Sequence, residues 1–316
     1  MNAGVELVEV VRSGFTESVH RGSVLVVGPD GADVLALGDV DSPVFPRSSN
    51  KPMQAVGMLR SGADLAGAEL AIAAASHSGE PAHVERVRAL LAGVGRSEAD
   101  LACPAALPLH PGAAGDLLAA GGKGAPVYMN CSGKHAGMVA TCVAAGWPVE
   151  GYLDPGHPLQ LTLAAAVADL TGEPVTAVGV DGCGAPLFAL SLRGLARAFA
   201  RLVTAAPGTF ERRVADAMRA HPHLVAGTDR DDTLLMTGIG GLLTKGGAEG
   251  VHAAALPSGA AVAVKIDDGA ARPRTPVLVG GLRRLGVRAG VLDELAETPV
   301  LGGGRMVGSA RLVAGV

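Results

Sequence analysis

Two short segments hold most of the chemistry this chain can perform. In Arg47-Ser48-Ser49-Asn50-Lys51-Pro52 a hydroxyl and an amine lie three residues apart, so on one helical turn both side chains leave the same face. A serine is a poor nucleophile until a base takes its proton, and a lysine serves as that base only where a second cation or an apolar pocket lowers its pKa. Ser-x-x-Lys is also common on solvated helix faces, so the pair needs support from elsewhere. Lys245, in Lys245-Gly246-Gly247, could supply the second cation; the plain alternative is a surface lysine in a glycine-rich turn. Ser76, in Ala75-Ser76-His77-Ser78-Gly79-Glu80, could relay protons or contact a substrate. Ser78 and Glu80 read equally well as caps for a helix starting near Pro81.

The second segment, Asn130-Cys131-Ser132-Gly133-Lys134-His135, brings a thiol, an amine and an imidazole within five residues. A further thiol, Cys183, lies in the glycine-rich stretch Val180 to Pro186. Thiols on separate turns can meet as zinc ligands. On chemistry alone the set would be Cys131, Cys183 and His135, because a lysine must lose its proton before it coordinates. The spacing is not a standard zinc signature, and both cysteines can equally be small buried apolar residues, the role expected for Cys103 and Cys142. Four cysteines in 316 residues do not make a disulfide framework.

The elements that must position these groups follow from periodicity. Val24 to Val27 and Asp33 to Leu37 flank the turn Gly28-Pro29-Asp30-Gly31, an antiparallel hairpin. After Pro46 the pattern turns helical, and Val84 to Leu91, Lys134 to Ala145, Leu159 to Leu170, Leu192 to Val203 and Phe210 to Ala220 all repeat near 3.6 residues. Strands return at Val251 to Leu256 and Ala261 to Ile266. The expected fold class is therefore α/β: an antiparallel sheet from both ends of the chain, about 5–45 and 250–316, with a helical block over about 50–245. No linker divides the chain, so residues 1–316 read as one catalytic unit.

Composition excludes several partners. A net charge of −4, without a long run of Lys or Arg, leaves no electrostatic footprint for nucleic acid or an anionic membrane. The first residues lack a basic and then apolar leader, and no stretch reads as a membrane span, so a cytoplasmic protein is expected. Aromatics are only 3% of the chain, so its core must come from Val, Leu and Ala.

Taken together, these residues resemble the class 3 L-asparaginases of the Rhizobium etli type. The matching stretches run in family order: His20-Arg21-Gly22, Arg47 to Gln54, Ala75 to Ser78, Cys131 to Met138, Asp181-Gly182-Cys183, His221-Pro222, Val225 to Gly227, Lys245 to Ala248 and Val264 to Gly269. The resemblance implies a serine β-lactamase/glutaminase-like fold, a homodimer, and hydrolysis of L-asparagine to L-aspartate and ammonia. It maps the nucleophile to Ser48, its base to Lys51, and a second serine and lysine to Ser76 and Lys245. It maps zinc to Cys131, Lys134 and Cys183, which puts Lys134 in place of His135 and leaves Asp181 beside the metal. Arg47, His77, His135 and Asp181 are the residues expected to bind substrate. Ser48→Ala is expected to abolish turnover and Cys131→Ala mainly to raise KM. One methylene separates glutamine from asparagine, so glutaminase activity stays open, as does a hydrolase that uses zinc-bound water.

Overall fold

Alternation along the strands decides how the sheet is buried. The computed structural model describes residues 4–315, so Met1 to Ala3 and Val316, the ends of the expected unit, lie outside the described residues. Strands β1 (Val5–Arg12), β2 (Phe15–Val27) and β3 (Asp33–Leu37) open the chain. The Gly28 to Gly31 turn joins β2 to β3 as read from sequence, with Gly31 N–H donating to Gly28 O at 3.0 Å. Gly31 takes φ +80°, which a residue with a Cβ adopts only under strain. A separate ribbon pairs β4 (Val178–Val180) with β5 (Pro186–Phe188). The main sheet is completed by β6 (Leu243–Gly246), β7 (Val251–Ala255), β8 (Ala261–Ile266), β9 (Thr298–Gly302) and β10 (Arg305–Leu312). Its order is β6-β7-β8-β2-β1-β10-β9, with β3 also on β2, and every pairing is antiparallel.

The helices before the return to the sheet begin with α1 (Lys51–Arg60), α2 (Gly67–Ala73), α3 (Pro81–Gly93), α4 (Pro111–Ala119), α5 (Ser132–Ala145), α6 (Pro158–Thr171), α7 (Leu192–Thr204) and α8 (Phe210–Ala220). α9 (Pro222–Val225) and α10 (Asp231–Gly238) follow before β6, and α11 (Arg274–Arg284) and α12 (Gly290–Glu294) come after β8. The amphipathic stretches of the sequence are thus helices almost to the residue.

Two apolar cores lie on opposite faces of the sheet. Leu25, Val27, Ala261 and Ala263 point to the large core shared with α1, α2, α5, α6, α7 and α8. Val24, Val26, Val262 and Val264 point to a smaller core with α11 and α12. This is the period-2 alternation of strands covered on both sides.

Two expectations are corrected. β6 lies inside the stretch expected to be helical, because four residues reading Leu-Thr-Lys-Gly show no period; pairing with buried β7 makes them a strand. α11 and α12 interrupt the stretch expected to be sheet. The β-branched run around Val277 to Val279 hides α11, which packs close because Gly281 has no Cβ; one built there would meet Val262 Cγ1 at 2.6 Å.

Candidate active site

The turn that carries Ser48 is held from three sides. Arg47–Asn50 forms one turn of 3-10 helix running into α1, whose first turn holds Pro52, a residue that needs no N–H there. Arg47 opens the turn at φ +52°, a left-handed backbone that costs a side-chain-bearing residue on the order of 1–2 kcal/mol. Its guanidinium is fastened to Asp181 Oδ1 at 2.8 Å and to Glu249 Oε1 at 3.4 Å. Ser49 Oγ donates to the Lys245 carbonyl at 2.9 Å, and Gly247 lies so near that a Cβ there would sit 2.6 Å from Pro46 O. The N–H groups of Ser49 and Lys51 are engaged within the turn, by Pro46 O and Ser48 O, which narrows the donors it can offer an oxyanion.

Lys51 is buried, and its amine stands at the meeting point of three segments. Nζ donates to Ala75 O at 2.5 Å, to Ser76 Oγ at 2.8 Å and to Cys131 Sγ at 3.1 Å. Ser76 reaches this point on the extended stretch after α2, anchored by its N–H to Val225 O and by His77 N–H to Asn130 O. Cys131 arrives on the N-cap of α5. α5 packs tightly on α2 at Gly133, where a Cβ would stand 2.3 Å from Ile72 O.

Beyond Cys131 lies a sulfur-rich cluster. Cys131 Sγ, Cys183 Sγ and an Asp181 carboxylate oxygen lie within 4.8 Å of one another, and Lys134 Nζ donates to Cys183 Sγ at 3.1 Å. The hydrogen bond with Cys183, helped by Lys51 and Lys134, holds Cys131 well below the ordinary thiol range despite burial. The same bond, together with burial, pushes Cys183 up. Burial works against the charge of Lys134, but Cys183, Cys131 and Asp181 outweigh it and raise its pKa. Burial likewise opposes the charge of Asp181, and Lys134 and Arg47 prevail, holding its carboxyl below the usual range. Cys103 and Cys142 stand apart, pushed up by burial to about 12 and about 11.

Lys245 comes from β6 and is fully buried. Its amine donates to Asp232 Oδ2 at 3.1 Å and to Gly246 O at 2.7 Å, and it does not hydrogen-bond Lys51 or Ser76. Burial lowers its pKa to about 8; Asp232 opposes that shift, while Lys51 and Arg230 add to it. The Asp232 carboxylate, missed in the sequence, also accepts from Gly246 N–H and from His252 Nε2.

Other expected residues are placed differently. His77 is enclosed, with Nε2 on Ser132 Oγ at 2.9 Å and Nδ1 accepting from Gly79 N–H, so both ring nitrogens brace the fold and neither is free for a substrate. His135 lies outside the sulfur cluster, its Nδ1 on Tyr152 OH at 2.7 Å and its buried Nε2 without a partner. Burial, with Lys134 and Lys51 nearby, keeps it well below the usual histidine range. Glu80 does cap α3, whereas Ser78 Oγ bonds Ala226 O instead. A second group, Glu80, His83 and His223, is close enough to hold an ion. However, His83 accepts from Glu80 N–H and donates to His223 O, which engages both of its nitrogens.

A cavity of about 840 Å³ is lined by Val44, Phe45, Val180 and Leu187 together with Arg47 and Asp181.

Over residues 8–312 the sequence matches the family described as L-asparaginase II. The chain belongs to the L-asparaginase II family. It is an enzyme, an asparaginase of the amidohydrolase type, and its substrate is a small molecule. None of the curated proteins matches this asparaginase in sequence. A solved β-lactamase from Mycobacterium bovis is similar in structure at 16% identity, covering 87% of this chain and 95% of that one, with a TM-score of 0.42. Among its described residues no helix is long and apolar enough to cross a membrane.

Proposed function

We propose that the chain hydrolyses the side-chain amide of L-asparagine through an ester on Ser48. The observation that carries this reading is the buried Lys51 amine, one turn from Ser48 and bonded to Ser76 Oγ. To act as base Lys51 must first give up one of its three N–H bonds; it then takes the Ser48 proton while Oγ attacks the amide carbon. The proton passes by way of Ser76 to the leaving nitrogen, the C–N bond breaks, and ammonia departs. Water then attacks the aspartyl ester, its proton taken by the same lysine and serine, and L-aspartate leaves with Ser48 restored. Lys245 serves as the second cation of the site. Arg47 and Asp181, already an ion pair, offer opposite charges to the α-carboxylate and α-ammonium of the amino acid.

Two sulfurs, a carboxylate and an amine gathered this closely suit zinc, which takes S, N and O ligands in fours. Cys131, Lys134 and Cys183 would hold it, with Asp181 beside them, and bound there it would order the site as a Lewis acid. A homodimer is the assembly proposed from the family resemblance, to be checked by sedimentation velocity.

The test is ammonia release from L-asparagine and from L-glutamine by wild type and Ser48→Ala, with and without a strong chelator. Asparagine-selective release that disappears in the variant and survives in part under chelation is the expected result. Release that persists in Ser48→Ala and stops with the chelator would transfer the chemistry to metal-bound water.

A further inference from the structure

Behind Lys245 stands a buried ionic group that the proposed reaction does not use directly. Asp232 is 1% exposed and Lys245 0%, and the carboxylate accepts from Lys245 Nζ at 3.1 Å, from Gly246 N–H at 2.8 Å and from His252 Nε2 at 2.9 Å. His252, also fully buried, is 3.0 Å from Thr244 Oγ1, and its Nδ1 has no hydrogen-bond partner. Such a charge is costly to take out of water, so a fold retains it only where its partners repay the desolvation. Here three donors on two strands converge on a single carboxylate: α10 supplies it, and β6 and β7 supply its donors.

We propose that Asp232 is a positioning residue for the amide hydrolysis, holding Lys245 in place and in its charged form at the edge of the site. This rests on the reading of Lys245 as the second lysine of the reaction. Among the described residues the amine has two acceptors, Asp232 and Gly246 O, which leaves one of its three N–H groups unengaged. The charged and titratable groups around it are Asp232 and Asp231 from α10, Arg230 just before it, His252 from β7 and Lys51 from α1. Arg274 from α11 is engaged by Asp231 and Gly247 O, and Arg219 from α8 by Gly241 O. Burial, Lys51 and Arg230 all favour the neutral amine, and Asp232 is the group that opposes them.

The sign of the effect follows. A cationic Lys245 is needed, so activity should fall as pH rises through about 8. Without the carboxylate's charge the amine loses its proton sooner, and that alkaline limb moves to lower pH. The test is the pH profile of kcat/KM for wild type, Asp232→Asn, Asp232→Glu, Lys245→Met and the double variant Asp232→Asn/Lys245→Met, each checked for folding by circular dichroism. In Asp232→Asn we expect the limb at least one unit lower, a loss of about fivefold or more at pH 8 that largely recovers at pH 6. Asp232→Glu should return the limb to within about half a unit, and Asp232→Asn should cost nothing further once Lys245 is Met.

A limb that stays in place, or a loss equal at every pH and repeated in the Lys245→Met background, would overturn the proposal. If Asp232→Asn alone fails to fold while the double variant folds, Lys245 is the group the carboxylate serves, as proposed; if both fail, the carboxylate acts through His252 and α10, and the proposal is wrong. Full activity in Lys245→Met would instead sink the underlying role of Lys245, an outcome separate from every result with Asp232.

Discussion

Cys131 has two neighbours that matter, Cys183 on one side and the Lys51 amine at 3.1 Å on the other, so its replacement will be felt in both binding and chemistry. The expectation of mainly a KM effect is therefore extended: Cys131→Ala should raise KM and also lower kcat by roughly tenfold, as Lys51 loses one of its three acceptors. Ser76→Ala removes another and should lower kcat by about a hundredfold with KM within a few-fold. Steady-state ammonia release checks both, and an undiminished kcat in Ser76→Ala would remove Ser76 from the proton path. Ser48 and Lys51 were legible as a spacing at a helix start, although the Lys51 amine itself bonds Ala75 O, Ser76 Oγ and Cys131 Sγ. Lys134 and His135 were harder, since adjacent residues on a helix leave it about 100° apart and only the register of α5 decides which one meets Cys183. Asp232 was not legible at all: Asp231-Asp232 reads like any acidic pair at a helix start, and its partner Lys245 lies on a strand the sequence does not announce.

Close approach of elements, more than any single contact, fixes the distance between Lys51 and the sulfur cluster. α2 ends in the stretch that presents Ser76, α5 begins at Cys131, and Gly133 lets the two touch. Gly133→Ala would place a Cβ 2.3 Å from Ile72 O, a backbone atom unable to move without its helix. We expect a cost of about 1–3 kcal/mol and a melting temperature lower by several degrees, with activity falling further than stability because Cys131 moves with α5. Thermal melting beside kcat/KM tests this, and a variant unchanged in both would show that α2 and α5 are not held at this point. Amphipathic helices such as α7 and α8 were readable because one buried face imposes its own period. β6 and α11 were not, because each is decided by a neighbour: β6 by the edge of β7, and α11 by the glycines that let it settle on the sheet.

At the scale of the whole molecule, the sheet is a partition, and α10 and α11 are fastened to one another and to its edge by charge. Asp231 binds Arg274 and Thr275 of α11, and Asp232 binds Lys245 of β6 and His252 of β7. Burial opposes both carboxylates, yet Arg274 with His252 and Thr275 brings Asp231 down to about 2, and Lys245 with His252 holds Asp232 well below the usual range. A carboxylate with a folded-state pKa below its unfolded value stabilises the fold above that unfolded value, and the contribution disappears as pH falls through the folded one. Stability should therefore hold down to about pH 4 and then drop toward pH 2, with about 2 kcal/mol at stake for Asp231. Urea unfolding at pH 7, 4, 3 and 2.5 measures this drop. Asp231→Asn should be less stable at pH 7 and lose less between pH 4 and 2.5 than wild type does. An equal acid loss in that variant would mean that the charges joining α10 to α11 are not what the acid removes, and the anchoring of these helices would have to be sought in the apolar core behind the sheet.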